Sequence, residues 1–180
     1  MNTKMPTKQI KWYSEQVEML KTLGCNDTSL FIHVPIYGYV HAFKAAFKDG
    51  LKWTDISVED SYKGDCWNDG YKDSFGVMHE PFPAVYRAVS CYGADDGVFD
   101  AILEGGTTKT VIAGHSHCNN FVIKYKGVRL AFSLKTGPGC GFLLPLNGGT
   151  VIKIDSNGVK DLYHEYVDPT DLLDLIKKEM

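Results

Sequence analysis

Thr110-Val111-Ile112-Ala113-Gly114-His115-Ser116-His117-Cys118-Asn119 decides how this chain is read. The apolar, β-branched run up to Ala113 predicts a buried strand over 109–113, and a loop with two histidines one residue apart follows it. At a strand end such a pair can aim both imidazoles into one crevice. Gly114 lets the backbone turn sharply or approach a ligand closely. Neutral imidazole ligates Zn, Fe, Ni and Cu, often with carboxylates completing the site.

A second histidine sits in a comparable place. Ser29-Leu30-Phe31-Ile32-His33-Val34-Pro35 is an apolar run that ends in His33 and then a proline. Proline cannot donate to a sheet ladder, so the strand over 29–34 ends there. His33 therefore lies at a strand terminus, as His115 and His117 do. Strand ends at one edge of an α/β sheet are where ligand sites collect. Taken alone, His33 reads equally well as a packed, hydrogen-bonded core histidine.

The rest of the chain alternates. Ile10, Tyr13, Val17 and Leu20 recur at helical spacing and Gly24 stops them, which predicts a helix over 7–23. A short helix over 41–48 places Phe43 and Phe47 on one face and leaves His41 at its boundary. Residues 52–81, with Trp53, Tyr62, Trp67 and Tyr71 among glycines and aspartates, read as a long loop with aromatic anchors, a candidate cover for a substrate. Gly64-Asp65-Cys66-Trp67-Asn68-Asp69 within it is a turn-rich stretch. Helices are expected over 82–91 and 96–104. Residues 120–125 and 128–134 form a hairpin about Lys126-Gly127, and residues 150–154 and 159–166 a second about Ser156-Asn157-Gly158. His164, inside the last strand, is a structural residue on this reading. Asp168-Pro169-Thr170 opens a terminal helix carrying Leu172, Leu173 and Ile176. Gly137, Gly139, Gly141, Gly148 and Gly149 form a flexible stretch near the histidines, without the spacing of a nucleotide-binding loop. The fold class is α/β, at the boundary with α+β, in a single domain over 1–180.

Three ordered segments carry a resemblance to a known family. Gln9-Ile10-Lys11-Trp12-Tyr13, Phe31-Ile32-His33-Val34-Pro35 and Gly114-His115-Ser116-His117-Cys118-Asn119-Asn120-Phe121 together resemble the C-terminal half of a calcineurin-like metallophosphoesterase, in the purple-acid-phosphatase-like branch. Gly76-Val77-Met78-His79-Glu80, Asp96-Gly97-Val98-Phe99-Asp100-Ala101, Lys135-Thr136-Gly137 and Gly148-Gly149-Thr150-Val151-Ile152 are softer matches. The resemblance spans residues 9 to 165 and implies part of a four-layer β-sandwich with flanking helices, its C-terminal half only. It also implies phosphomonoester or phosphodiester hydrolysis on two metal ions (Zn, Mn or Fe). His33 and His115 would hold one metal and His117 the other, with Gly114, Asn119 and Asn120 beside the metals or the substrate. The family's Asp-x-His, Gly-Asp-x-x-Asp and Asn-His motifs are absent, and the candidate stretch over 64–69 follows His33, in the wrong order for the second of them. Ser116 stands where the family usually has aspartate, and Pro138 interrupts the Thr-Gly-Tyr pattern of the nearer relatives.

Composition bounds the alternatives. With 44% hydrophobic and 23% charged residues, 180 residues suffice for one domain that buries about 70% of its unfolded surface. A net charge of −3 leaves no nucleic-acid footprint. No apolar run approaches the roughly 18 residues of a membrane span. The first residues have no apolar signal core, which makes the cytoplasm the expected compartment unless a signal lies upstream. Five scattered cysteines do not suggest a disulfide framework. Cys118 reads either as a small buried hydrophobe or as a ligand in a structural zinc site.

Three imidazoles contribute no negative charge against two dications, and the catalytic carboxylates and acid histidine are missing. The chain is therefore expected to have no catalytic residue of its own, and to be inactive or weakly active by itself. It reads either as the C-terminal part of a phosphoesterase acting on a phosphate ester, or as a truncated relative serving as a binding or oligomerisation module. An unpaired sheet edge is expected to be covered by a missing N-terminal half or a second copy.

Overall fold

The structure is a computed structural model and describes residues 4–78, 85–137, 140–141 and 143–179. Helix α1 (Thr7–Thr22) leads to strand β1 (Thr28–Ile32) and helix α2 (Gly38–Ala46). The short helices α3 (Val58–Ser61) and α4 (Val85–Ala88) precede α5 (Val98–Gly105). Strands β2 (Thr108–Ala113), β3 (Val122–Tyr125) and β4 (Val128–Phe132) follow. The hairpin β5 (Gly148–Asp155) and β6 (Gly158–Tyr166) and helix α6 (Pro169–Glu179) close the chain. His79, Glu80, residues 82–84 of the expected helix over 82–91, and Pro138 and Gly139 lie outside the described residues, as do the side chains of Leu172 and Ile176.

Four strands form a mixed sheet in the order β1-β2-β4-β3. β1 and β4 both run parallel to β2, and β3 is antiparallel to β4. Lys126 and Gly127, at φ +47° and +81°, make the two-residue turn between β3 and β4 that suits the strands' right-handed twist. β5 and β6 form a separate antiparallel pair. The fold is thus mixed α/β, with an antiparallel hairpin added to a mostly parallel sheet.

Strand alternation distributes the side chains between two faces. Val111, Ala113, Leu130, Phe132 and Ile123 join the main core with Tyr39, Val40 and Phe43 of α2. Ile112, Ala131 and Val122 point the other way and pack against Leu162 of β6. The sheet therefore lies between a helical layer and the β5–β6 hairpin. Tyr39, fully buried, places its hydroxyl 3.0 Å from Val111 O and 2.9 Å from Ala131 O, which pins α2 to β2 and β4.

Two expected boundaries move. α2 starts at Gly38 rather than His41, because Tyr39 and Val40 are part of the core and Gly38 lies so close to Phe99 that a Cβ there would come within 2.7 Å of its ring. β1 ends at Ile32, one residue before His33. Within the expected loop over 52–81, the described residues 52–78 are anchored to the core by Trp53, Ile56, Trp67 and Tyr71. Trp67 is fully buried, bridges to Phe47, and sits edge-on to the Phe43 and Phe47 rings. Of the apolar residues expected on α6, Leu173 is exposed. Among the described residues no helix is long and apolar enough to cross a membrane.

Candidate functional site

β1 and β2 are adjacent and parallel, with Ile32 opposite Ala113, so their carboxyl ends lie side by side. Gly114 N–H donates to His33 O at 3.1 Å and extends the pairing one step past both strands. The next side chains then meet. His115 Nδ1 lies 3.2 Å from His33 Nε2, with the rings edge to face at a 5.0 Å centroid distance. Both residues are exposed.

The backbone at His115 is unusual. Its φ is +69°, and Ser116 N–H donates across it to Gly114 O at 2.8 Å. This is a γ-turn with a non-glycine residue at its left-handed centre, a strained conformation that concentrates at functional sites. The sharp turn expected at Gly114 is made by His115 instead. Gly114 has ordinary φ, and a Cβ there would meet only His33, at 3.7 Å or more.

The second loop histidine has its own partner. Residues i and i+2 share a side only while the chain stays extended. Past the γ-turn, His117 Nδ1 donates to Gly141 O at 2.5 Å, which leaves Nε2 as its basic nitrogen. Among the described residues no group of three or more His, Cys, Asp or Glu is placed to hold a metal ion, so His117 does not join His33 and His115 in one three-ligand set, and Cys118 builds no such site. Cys118 is half-buried, and all five cysteines are unbridged.

Asn119 and Asn120 hold the loop in place. Asn119 Nδ2 donates to Ala88 O at 2.7 Å, at the end of α4. Asn120 is fully buried. Its Oδ1 accepts from Val77 N at 2.6 Å, and its Nδ2 donates to the hydroxyls of Tyr166 at 2.8 Å and Tyr62 at 3.1 Å. Those two hydroxyls also bond each other. Both asparagines, expected beside the metals or the substrate, thus serve to join distant segments to the histidine loop. The sequence signalled the amides but not their partners.

His164 extends this network and is structural, as its strand position suggested. Leu134 N–H donates to Thr150 Oγ1 at 3.0 Å, the Thr150 hydroxyl lies 3.0 Å from His164 Nδ1, and His164 Nε2–H donates to Asn120 O at 2.9 Å. Burial holds its pKa below the ordinary imidazole value, although the bond to Asn120 opposes this. The unfolded chain therefore takes up this proton first. Stability should be insensitive to His164 above about pH 6.5 and fall as pH drops below it, by up to about 1.4 kcal/mol per pH unit, until the folded state is protonated too. Urea midpoints at pH 7.5 and 5.5 measure this. A His164→Gln variant should lose part of that slope, and an unchanged slope would assign it to other groups.

Compared with protein-family models, curated proteins and solved structures, the chain matches none.

Proposed function

We propose that this chain supplies metal ligands to a metal-dependent phosphoesterase, as the C-terminal portion of a calcineurin-like metallophosphoesterase domain of the purple-acid-phosphatase-like branch. The observation that carries the reading is the meeting of His33 and His115 at the carboxyl ends of neighbouring parallel strands. Two nitrogens on one tetrahedral metal, each about 2.0–2.1 Å from it, are about 3.3 Å apart, so the observed 3.2 Å fits a shared ion. His117 has the second-layer support typical of a ligand, a carbonyl that fixes Nδ1–H and leaves Nε2 outward. On this reading His117 serves the second metal, apart from the pair.

The metals would supply an acidified water and positive charge to clamp the phosphoryl oxygens of a phosphomonoester or phosphodiester. This chain's residues would hold and orient them. Neutral imidazoles leave the metal charge uncompensated, so carboxylates must come from a segment seated against these strand ends. Turnover by the chain alone should be negligible.

Calorimetric titration of Zn or Mn into chelator-treated protein tests the reading. Binding should be micromolar or weaker, and His33→Ala should weaken it by at least about tenfold, the scale of one lost ligand direction. Binding that survives the loss of both His33 and His115 would defeat the proposal. So would turnover by the lone chain in the usual enzyme range of about 1–10³ s⁻¹.

A second reading, a non-catalytic binding or oligomerisation module, is favoured by one observation. β1 is a sheet edge, with Phe31 59% exposed and Trp12 61% exposed beside it, and a groove lined by Gln9, Leu30 and Ile32 among others. Such an edge is a template for strand pairing. Sedimentation mass separates the readings: a stable oligomer without metal affinity favours the module.

A further inference from the structure

At the opposite end of the sheet from the histidines, a polar crevice of about 310 Å³ lies under the tip of the β5–β6 hairpin. Asp27, Lys109, Lys124, Arg129 and Val159 line it. The sheet register builds it. Thr110 of β2, Arg129 of β4 and Lys124 of β3 are direct cross-strand partners, so they form one row on the hairpin face. That row lies one pair beyond Ile112, Ala131 and Val122, the residues Leu162 covers.

Three features mark the crevice as built for a ligand. First, two of its charged groups are orphaned. Arg129 Nη1 and Asp27 Oδ1 are both buried and find no hydrogen-bond partner among the described residues. Leaving such groups unpaired costs more than an ordinary hydrogen bond gains. Second, the two face one crevice without forming a salt bridge to each other. Third, a bulge in the β1–β2 ladder falls there, at a lysine that lines the crevice. Thr28 pairs with Thr108 but Ser29 with Thr110, so Lys109 is the extra residue, and bulges recur beside binding sites. Lys109 Nζ is held by Gly106 O at 2.6 Å. Gly158 at the hairpin tip abuts the Asp27 carboxylate so closely that a Cβ there would run into it.

Three cations against one carboxylate select an anion. The buried carboxylate adds a condition: the anion must also carry a proton to donate. We propose that this crevice binds a protonated phosphoryl group, Arg129 and Lys124 donating to its unprotonated oxygens and Asp27 accepting its P–OH. The inference does not depend on the metal site, which lies at the other end of the strands.

Sulfate is the discriminating probe, because it matches phosphate in size and shape but has no proton to give at pH 6. Inorganic phosphate, glycerol 2-phosphate and sulfate should be titrated calorimetrically at matched ionic strength. The protein should be chelator-treated and also carry His115→Ala, so that phosphate on a metal contributes nothing. Phosphate should bind at least about tenfold tighter than sulfate, the scale of one buried hydrogen bond gained against one repulsion. The tighter of the two phosphate probes names the source, free ion or ester. Asp27→Asn should erase the preference, and Arg129→Gln should weaken phosphate at least about tenfold. Arg129 Nη1 has no partner among the described residues, so its loss should leave the melting temperature near wild type, and Lys124→Gln provides a second variant on another strand. Absent phosphate binding, equal affinity for sulfate, or a preference that survives Asp27→Asn would each overturn the proposal.

Discussion

Asn120→Ala should destabilise the protein by about 3–5 kcal/mol, a large part of the 5–15 kcal/mol that holds a typical domain together. One side chain satisfies three groups from three distant parts of the chain: Val77 N–H, the Tyr62 hydroxyl and the Tyr166 hydroxyl. Val77 is buried, so losing the amide strands its N–H without water. The neighbouring Gly76, at φ +83°, packs so close to Asn120 O that no side chain fits there, and the segment cannot retreat to find another acceptor. Tyr166→Phe combined with Asn120→Ala should be non-additive by about 0.5–3 kcal/mol, because the pair shares one network. Urea unfolding of the wild type, the Asn120→Ala and Tyr166→Phe single variants and the double variant measures all of this. An Asn120→Ala cost below about 1 kcal/mol, the worth of a single ordinary hydrogen bond, would show that the network is dispensable.

The same residue shows what the sequence could tell. Local patterns were legible wherever the determinants were local. The helix over 7–23, the strand over 109–113 and both hairpins appear within a residue or two of their expected bounds, because periodicity and turn residues lie inside each segment. The adjacency of β1 and β2 joins residues some 80 positions apart, and only the shared pattern of an apolar run ending in histidine hinted at it. The partners of Asn120 lie 43, 46 and 58 residues away, and nothing near Asn120 in the sequence points to them. His33 and His115 meet as expected. Among the described residues His117 does not complete a set with them; the backbone turns at His115, and the His117 ring bonds Gly141 O. A γ-turn centred on histidine is not written in local propensity, since positive φ is rare for such a residue and glycine sat one position earlier. The orphaned pair in the distal crevice was equally hidden: Asp27, Arg129 and Lys124 are unremarkable charges until strand register sets them in one place.

His115→Gly should separate the cost of that turn from its use. The left-handed backbone at φ +69° costs a non-glycine residue about 1–2 kcal/mol, and glycine adopts it without that penalty. Glycine also loses more chain entropy on folding, about 0.5–1 kcal/mol. Alanine at the same position removes the imidazole equally but keeps the strained backbone. Every contact of the ring is lost in both variants, so their difference isolates the backbone. The glycine variant should be more stable than the alanine variant by about 1 kcal/mol, read from urea midpoints. Both should lose Zn or Mn affinity to a similar extent, at least about tenfold, because either change removes one of the two imidazoles that meet at the strand ends. Strain that destabilises the fold while serving a ligand is the pattern expected of a functional loop. If glycine proves no more stable than alanine, the turn carries no strain. If both variants keep full metal affinity, the strain serves something other than the proposed metal.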